Sequence, residues 1–498
     1  MQGPADPPRP TTHSMQRGVL TGAAQSLAAS VLPLALGLVA LPILTRALGA
    51  ERIALLALAW AWLAIAQLLD LGVGRALVRR LAEADAHGTI AGEARTVAAG
   101  ESLLLRIGIT VGVLGAGAGV WYVRHGLSLP AALVTDATLA ALLFCAAVAP
   151  TTAAAAPRAV LEATREFRPV SVIRLVVNTA TFAVPLALLP VTRALWPTAL
   201  LLLGVRGWAW WRLRSEARVR VGVARAEREH VGALIRDGGW ITVSNVLAPV
   251  MLLLDRFFIG LVVGAAAVAY YAVPYEAITK AWVVPTAVCT ALFPSAAFVR
   301  ARDGDGLPAL HSLAIRTIAA LVLPAMTLAV VFAPDVIALL AGRGYPEASA
   351  RVLVWLAIGT ALNAIAMVPY VLLQAAGMAR TVALLHLAEV VPYLVALAVG
   401  LRVAGIEGAA IAWTARIAFD ACALAIMANR HAPPRRGTWT RLLPAFAILA
   451  VAALLVLERM PVAHWAAVLM AIATMLLTLP LAALRAVPAH GALRSTAS

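Results

Sequence analysis

Two pairs of opposite charges stand four residues apart inside apolar stretches: Glu276 with Lys280, and Arg416 with Asp420. Four residues is about one helical turn, so each pair shares a helix face. The first pair has the acid on the favoured N-terminal side, and the second reverses the order. Glu389 lies near the middle of a third apolar stretch. A cation at the centre of a bilayer costs roughly 2.5–3.5 kcal/mol to insert, so charge there needs a reason. Two readings are open. In one, a hydrated cavity offers Lys280 and Arg416 to an anionic head group, with Glu276, Glu389 and Asp420 as coupling or cavity acids for protons or sodium. In the other, the charges are structural pairs that neutralise one another between helices.

Other charges carry the same ambiguity. Arg106, Arg174 and Arg316 lie about five to seven residues inside the cytoplasmic ends of their stretches, where an arginine either snorkels to water or lines a cavity as a further substrate-binding cation. Asp255 and Arg256 are neighbours, so they point about 100° apart and cannot pair on one helix face. They sit toward the outer end of their stretch and suit gating or packing. Asp70 and Arg75 stand about 140° apart on a helix, so gating or packing is again the reading.

Composition says what must position these residues. The chain has 498 residues, 62% of them hydrophobic and 13% charged. A soluble domain averages about 45–50% apolar and about 25% charged, so this is the composition of a polytopic membrane protein. Apolar runs of about 20 residues make the class all-α, because a barrel strand would alternate apolar and polar. The net charge of +16 does not point to nucleic acid, since most arginines sit in short loops between apolar runs. Cys145, Cys289 and Cys422 fall inside apolar runs without disulfide or metal spacing. The histidines form no HxxxH or HExxH pair. There is no phosphate loop, dinucleotide fingerprint or GxSxG elbow. No cofactor or metal is expected, and no enzymatic activity. Transport would draw on an ion gradient, the membrane potential or the substrate gradient.

The spacing predicts about fourteen transmembrane helices. They fall at about 19–45, 53–77, 101–123, 131–156, 169–190, 194–211, 236–262, 266–297, 310–333, 348–373, 381–401, 405–428, 441–457 and 462–484. The expected organisation is a disordered cytoplasmic tail (1–17), a six-helix lobe (18–211), a basic cytoplasmic linker (212–235), a second six-helix lobe (236–430), and two further helices with a tail (431–498). With the N-terminus inside, inner segments carry about 24 arginines and outer segments about 8, a bias that sets both termini in the cytoplasm. LGAERIALLALAW (Leu48 to Trp60) aligns without gaps to VGAAAVAYYAVPY (Val263 to Tyr275). Each begins a half, as an internal repeat about an axis along the membrane normal would place them. Prolines inside the spans, among them Pro185, Pro274, Pro324, Pro369 and Pro392, favour kinks and suit a molecule that rocks between two states.

Several stretches resemble a known family. LPILTRALGAERIALLALAW and LLDLGVGRALVRRLA resemble the first two helices of bacterial polysaccharide flippases of the Wzx type. APRAVLEATREFRPVSVIRLVVN resembles the entry to their fifth helix, and LLLDRFFIGLVVGAAAVAYYAVPYEAITKAW their seventh and eighth. LLAGRGYPEASARVLVWLAIG and LLQAAGMARTVALLH resemble the segments around the tenth. The resemblance implies a MATE-like arrangement of two six-helix bundles around a central cavity, with two extra C-terminal helices. It implies export of an undecaprenyl-diphosphate-linked oligosaccharide across the bacterial inner membrane. Membrane lipids, a polysaccharide polymerase and a chain-length regulator would be its partners, and the chain itself a monomer. A lipid II flippase or a MATE-type drug or cation exporter would keep the fold and change the cargo. A membrane polysaccharide polymerase or ligase would need a large outer loop, and none is expected here.

Overall fold

The computed structural model describes residues 32–68, 72–224, 251, 253–302, 306–342, 344–460 and 462–479. Among the described residues every regular element is helical. In chain order they are α1 (Leu32–Leu48), α2 (Ala50–Leu68), α3 (Val73–Ala86), α4 (Ala94–Trp121), α5 (Ala131–Ala146), α6 (Val148–Ala153), α7 (Ala155–Ala163), α8 (Phe167–Leu188) and α9 (Trp196–Val221). There follow α10 (Leu254–Val262), α11 (Ala265–Thr279), α12 (Val283–Arg302), α13 (Leu307–Val331), α14 (Ala333–Ala341), α15 (Glu347–Ala375), α16 (Ala379–His431), α17 (Thr438–Leu457) and α18 (His464–Thr478). Eight helical runs among the described residues are long and apolar enough to cross a bilayer: α2, α4 with its flanking turns, α5 to α7, α8, α13, α15, α16 and α17.

Glycine sets where the helices break. Gly49 (φ 78°) separates α1 from α2, and Gly264 (φ 115°) separates α10 from α11. Only glycine takes such angles without steric cost. These two glycines occupy matching positions in the two aligned segments, so one turn serves both hairpins. Gly405 (φ 57°) together with Ala404 breaks α16 into two arms. The arms come so close that a Cβ on Gly400 would lie 2.5 Å from the Gly408 carbonyl oxygen.

The chain forms two compact units. Among the described residues, one gathers those of Trp62–Trp121 and Ala131–Gly239 with those up to Leu44; the other gathers those of Thr45–Ala61, Tyr122–Pro130 and Trp240–Ser498. In the first unit, Leu77, Leu81, Val97, Leu104, Val160 and Val221 form one core cluster. Leu161, Val170, Ile173, Ala209 and Leu213 form a second and pack α7, α8 and α9 together. Asp136 on α5 accepts the Leu195 and Trp196 N–H groups at 2.9 and 3.0 Å. This satisfies backbone donors that the first turn of α9 leaves open. In the second unit Leu373, Val382 and Leu424 join α15 to both arms of α16. On the first arm Leu387, Val391, Val395 and Val399 are exposed at helical spacing, the pattern of a face against hydrocarbon rather than water.

The basic stretch beginning at Arg212 starts as helix, because α9 continues through Val221. Carboxylates hold it there: Arg212 pairs with Glu216 at 2.6 Å, Arg214 with Glu101 at 3.0 Å, and Arg220 with Glu166. The rest of the basic linker, from 225 onward, lies outside the described residues.

Candidate functional site

The second unit collects buried charge. Asp255 and Arg256 open α10, and both are essentially inaccessible. Being adjacent they diverge, and each finds its own partner. Asp255 accepts the Tyr271 hydroxyl at 2.5 Å and the backbone N–H of Arg256 at 2.7 Å. The Arg256 guanidinium donates to Glu276 Oε1 at 3.1 Å and lies 4.5 Å from the centre of the Tyr275 ring. Lys280, one turn after Glu276, donates to the other oxygen, Oε2, at 3.1 Å. The sequence reading set Asp255 and Arg256 apart from Glu276 and Lys280, at the outer end of their stretch. The structure instead joins Arg256 and Lys280 on one carboxylate, because the turn at Gly264 folds α11 back along α10.

Arg416 and Asp420 lie on the second arm of α16, Glu389 and His386 on the first. The break at Ala404–Gly405 brings the arms together. Arg416 Nε then donates to Glu389 Oε2 at 3.1 Å, and His386 Nε2 lies 3.4 Å from Asp420 Oδ1. That second contact is close enough for attraction but lacks hydrogen-bond alignment, since Asp420 Oδ1 has no hydrogen-bond donor. Thus Arg416 pairs across the break and not with Asp420 on its own helix. Tyr275 also lies edge-on to Trp413, three residues before Arg416, at 6.0 Å.

The charge count differs between the clusters. Asp255, Arg256, Glu276 and Lys280 are two acids and two bases. Glu389, Asp420 and Arg416 are two acids and one permanent base, beside His386. An unbalanced buried charge is costly. The second cluster is neutral when it also holds one proton or one monovalent cation.

The remaining candidates are scattered. Arg316 donates to the carbonyl oxygens of Thr478 and Leu479, closing the C-terminal end of α18. Arg106 is exposed on α4, and Arg75 is exposed on α3. Asp70 lies outside the described residues. Arg174 stands 3.9 Å from Glu162 and lines a pocket in the first unit with Arg158 and Arg206. Arg206 was missed in the sequence; its signal was available, an arginine inside an apolar span.

Comparison with known proteins places this geometry. Residues 19–301 match the model of a family of polysaccharide biosynthesis proteins, more than half of the chain. A Shigella flexneri protein named as an O-antigen transporter is 35% identical over 187 residues, 38% of this chain and 44% of that one, so the match spans less than half the relative's length. Among solved structures, the lipid II flippase MurJ in an inward closed conformation superposes with a TM-score of 0.71 at 12% identity, over 91% of this chain and 97% of that one. An inward-facing multidrug resistance MATE family transporter of the MOP superfamily gives 0.66 at 16% identity, over 82% and 97%. A MOP superfamily transporter from Pyrococcus furiosus, described by the reverse polarity of its binding pocket, gives 0.59 at 15% identity, over 83% and 95%. These likenesses establish the fold that MATE and MurJ proteins share. The chain is a multi-pass membrane protein of that fold, and by its sequence it belongs to the polysaccharide biosynthesis family.

Proposed function

We propose that the chain carries an undecaprenyl-diphosphate-linked oligosaccharide from the inner to the outer leaflet of the bacterial inner membrane by alternating access. The observation that carries this reading is the second unit's buried charge network, built into helices of a chain that belongs to the polysaccharide biosynthesis family. A purely structural bundle gains little from buried ion pairs over well-packed apolar residues. Intramembrane ionisable groups mark pathways and couplings. In this reading fourteen helices cross the membrane, both termini are cytoplasmic, and the lobes rock about the turns. The Asp255–Arg256–Glu276–Lys280 network keeps its charge neutral as a latch. The Glu389–Arg416–Asp420–His386 cluster carries the coupling proton or sodium. The chain acts as a monomer beside a polymerase and a chain-length regulator, and it transforms no substrate. The name of the Shigella relative supports the cargo.

Lipid II transport is the second reading, favoured by the likeness to MurJ over 91% of the chain. Deleting the gene separates the two. Loss of surface polymer with an intact wall is the expected result. Wall failure with normal polymer would move the cargo to lipid II, and altered drug tolerance alone would move it to a drug exporter.

A further inference from the structure

Two short stretches from the first half of the chain are gathered into the second unit. They are Thr45–Ala61, around the α1–α2 turn, and Tyr122–Pro130, between α4 and α5. The described residues that flank each stretch belong to the first unit. Each is therefore a strap, continuous at both ends with one unit and packed within the other.

The seat of the second strap is specific. The strap opens with a π-helical turn, Tyr122–Gly126. The Tyr122 hydroxyl donates to the Phe257 carbonyl oxygen on α10 at 2.7 Å, and its ring lies 6.1 Å from the Phe257 ring. A Cβ on Gly260 would lie 2.1 Å from the Tyr122 hydroxyl oxygen and 2.7 Å from Leu127 Cδ2. Glycine inside α10 costs helix stability, and the seated tyrosine is what requires it. Leu127 is wholly inaccessible. Its carbonyl oxygen accepts the Ala265 N–H at 3.2 Å. Ala265 is the first residue of α11, so this N–H has no acceptor in its own helix. The first strap is held in a similar way, by Arg46 donating to the Leu339 carbonyl oxygen at 2.6 Å, near the end of α14. Each of these bonds ends on a backbone carbonyl oxygen. Water can replace either partner, so seating and lifting differ by a modest free energy. Parting the buried ion pairs of the same unit would strand charge instead.

We propose that Tyr122–Pro130 is a releasable clasp, with Tyr122 as its bolt and Gly260 as its socket. Seated, the strap holds the outward-closed state. Lifting Tyr122 off Gly260 permits the outward-open state from which cargo leaves. The seat stands on the contacts alone; the outer sidedness and the release step rest on the flippase reading.

The test reads amide hydrogen exchange of the purified full chain in nanodiscs of phosphatidylcholine, resolved at Ala265 by mass spectrometry. Exchange at a locally opening site follows the open fraction. Tyr122→Phe removes one hydrogen bond and keeps the ring, so exchange at Ala265 should quicken about two- to tenfold. Gly260→Ala fills the socket and should quicken it about tenfold or more. In a Tyr122→Ala background Gly260→Ala should add little, because its clash partner is gone. Gly117→Ala, at an open position on α4 among the described residues, should change nothing. Buried amides of α15 should exchange as in wild type throughout, which separates lifting of the strap from general loosening. If Gly260→Ala assembles badly, Tyr122→Phe keeps the test decisive.

A second arm pins the strap in cells. Ser128 and Val263 flank the Leu127–Ala265 bond, and both are exposed. Cysteines there, in a chain whose Cys145, Cys289 and Cys422 are alanine, are joined with a short bifunctional maleimide. Surface polymer should fall in proportion to the cross-linked fraction, and Ser128→Cys alone, treated alike, should not lower it. Wild-type exchange at Ala265 in both Tyr122→Phe and Gly260→Ala overturns the clasp. Full polymer from cross-linked protein overturns it too. The flippase reading fails separately: normal polymer in the deletion strain removes the cargo, and exchange at Ala265 still decides whether the strap lifts.

Discussion

Arg416 and Glu389, 27 residues apart in the chain, meet at 3.1 Å across the break in α16 at Ala404–Gly405, and both are more than nine-tenths buried. The pair fastens one arm of the helix to the other. Removing Arg416 leaves the buried carboxylates of Glu389 and Asp420 without a permanent cation, a loss of about 3–5 kcal/mol. Arg416→Ala should therefore lower the thermal stability of the purified protein strongly. The double variant Arg416→Leu/Glu389→Leu, which removes both charges, should recover most of that loss. Equal stability in Arg416→Ala and wild type, read by unfolding in detergent, would show that the pair does not hold the arms.

The three-membered network around Glu276 predicts an order of damage. Glu276 serves both Arg256, whose side chain is 1% exposed, and Lys280, whose side chain is 27% exposed. Glu276→Gln removes the one carboxylate that both cations bond and leaves two bases to the single acid Asp255, with Arg256 fully buried. Lys280→Ala leaves an acid that Arg256 still satisfies. Glu276→Gln should cost about 3–5 kcal/mol, and Lys280→Ala about 1 kcal/mol or less, as for a partly solvated pair. Thermal unfolding of the two variants side by side checks the order.

Close helix packing gives a third prediction. A Cβ on Gly108 of α4 would lie 2.8 Å from the Ala149 Cα, a backbone atom of α6 that cannot yield as a side-chain tip can. At Gly117, on the same helix, no described atom beyond the helix's own neighbouring backbone lies within 4 Å of that position. Gly108→Ala should therefore destabilise by about 1–3 kcal/mol through overpacking, while Gly117→Ala stays within about 1 kcal/mol of wild type. Loss of monodisperse protein in size-exclusion chromatography for Gly108→Ala alone is the expected signature.

The helical class was legible in the sequence, because long apolar runs are a local property. Partner choice was not. Spacing of four residues suggested that Arg416 belongs with Asp420, but the fold back at Gly405 offers Glu389, and a contact across a break has no sequence period. The same holds for Arg256, which meets Glu276 only because Gly264 turns the chain. Arg206 was overlooked for another reason. Ending its span at 211 puts it a turn or so from water, within snorkelling reach. Continuation of α9 to Val221, about 22 Å of helix beyond Arg206, and the packing of α7 and α8 around it leave that side chain buried.

The surplus acid in the second cluster separates a coupling role from a structural one. Glu389 and Asp420 face one arginine, and His386 stands 3.4 Å from Asp420 with the Tyr370 ring stacked on it at 6.2 Å. Asp420→Asn removes the surplus negative charge while keeping the shape. If the cluster only holds the helix arms, the variant should be at least as stable as wild type and should export normally, since a buried charge has been removed. If the cluster carries the coupling ion, stability should again be at or above wild type, but export should fall by about tenfold or more, because the site is then neutral without its ion. Surface polymer per unit of membrane-inserted protein, measured beside the melting temperature, reads both quantities. Normal polymer in Asp420→Asn would remove the coupling role, and Arg416→Lys, which keeps the charge balance, should retain more export than Asp420→Asn.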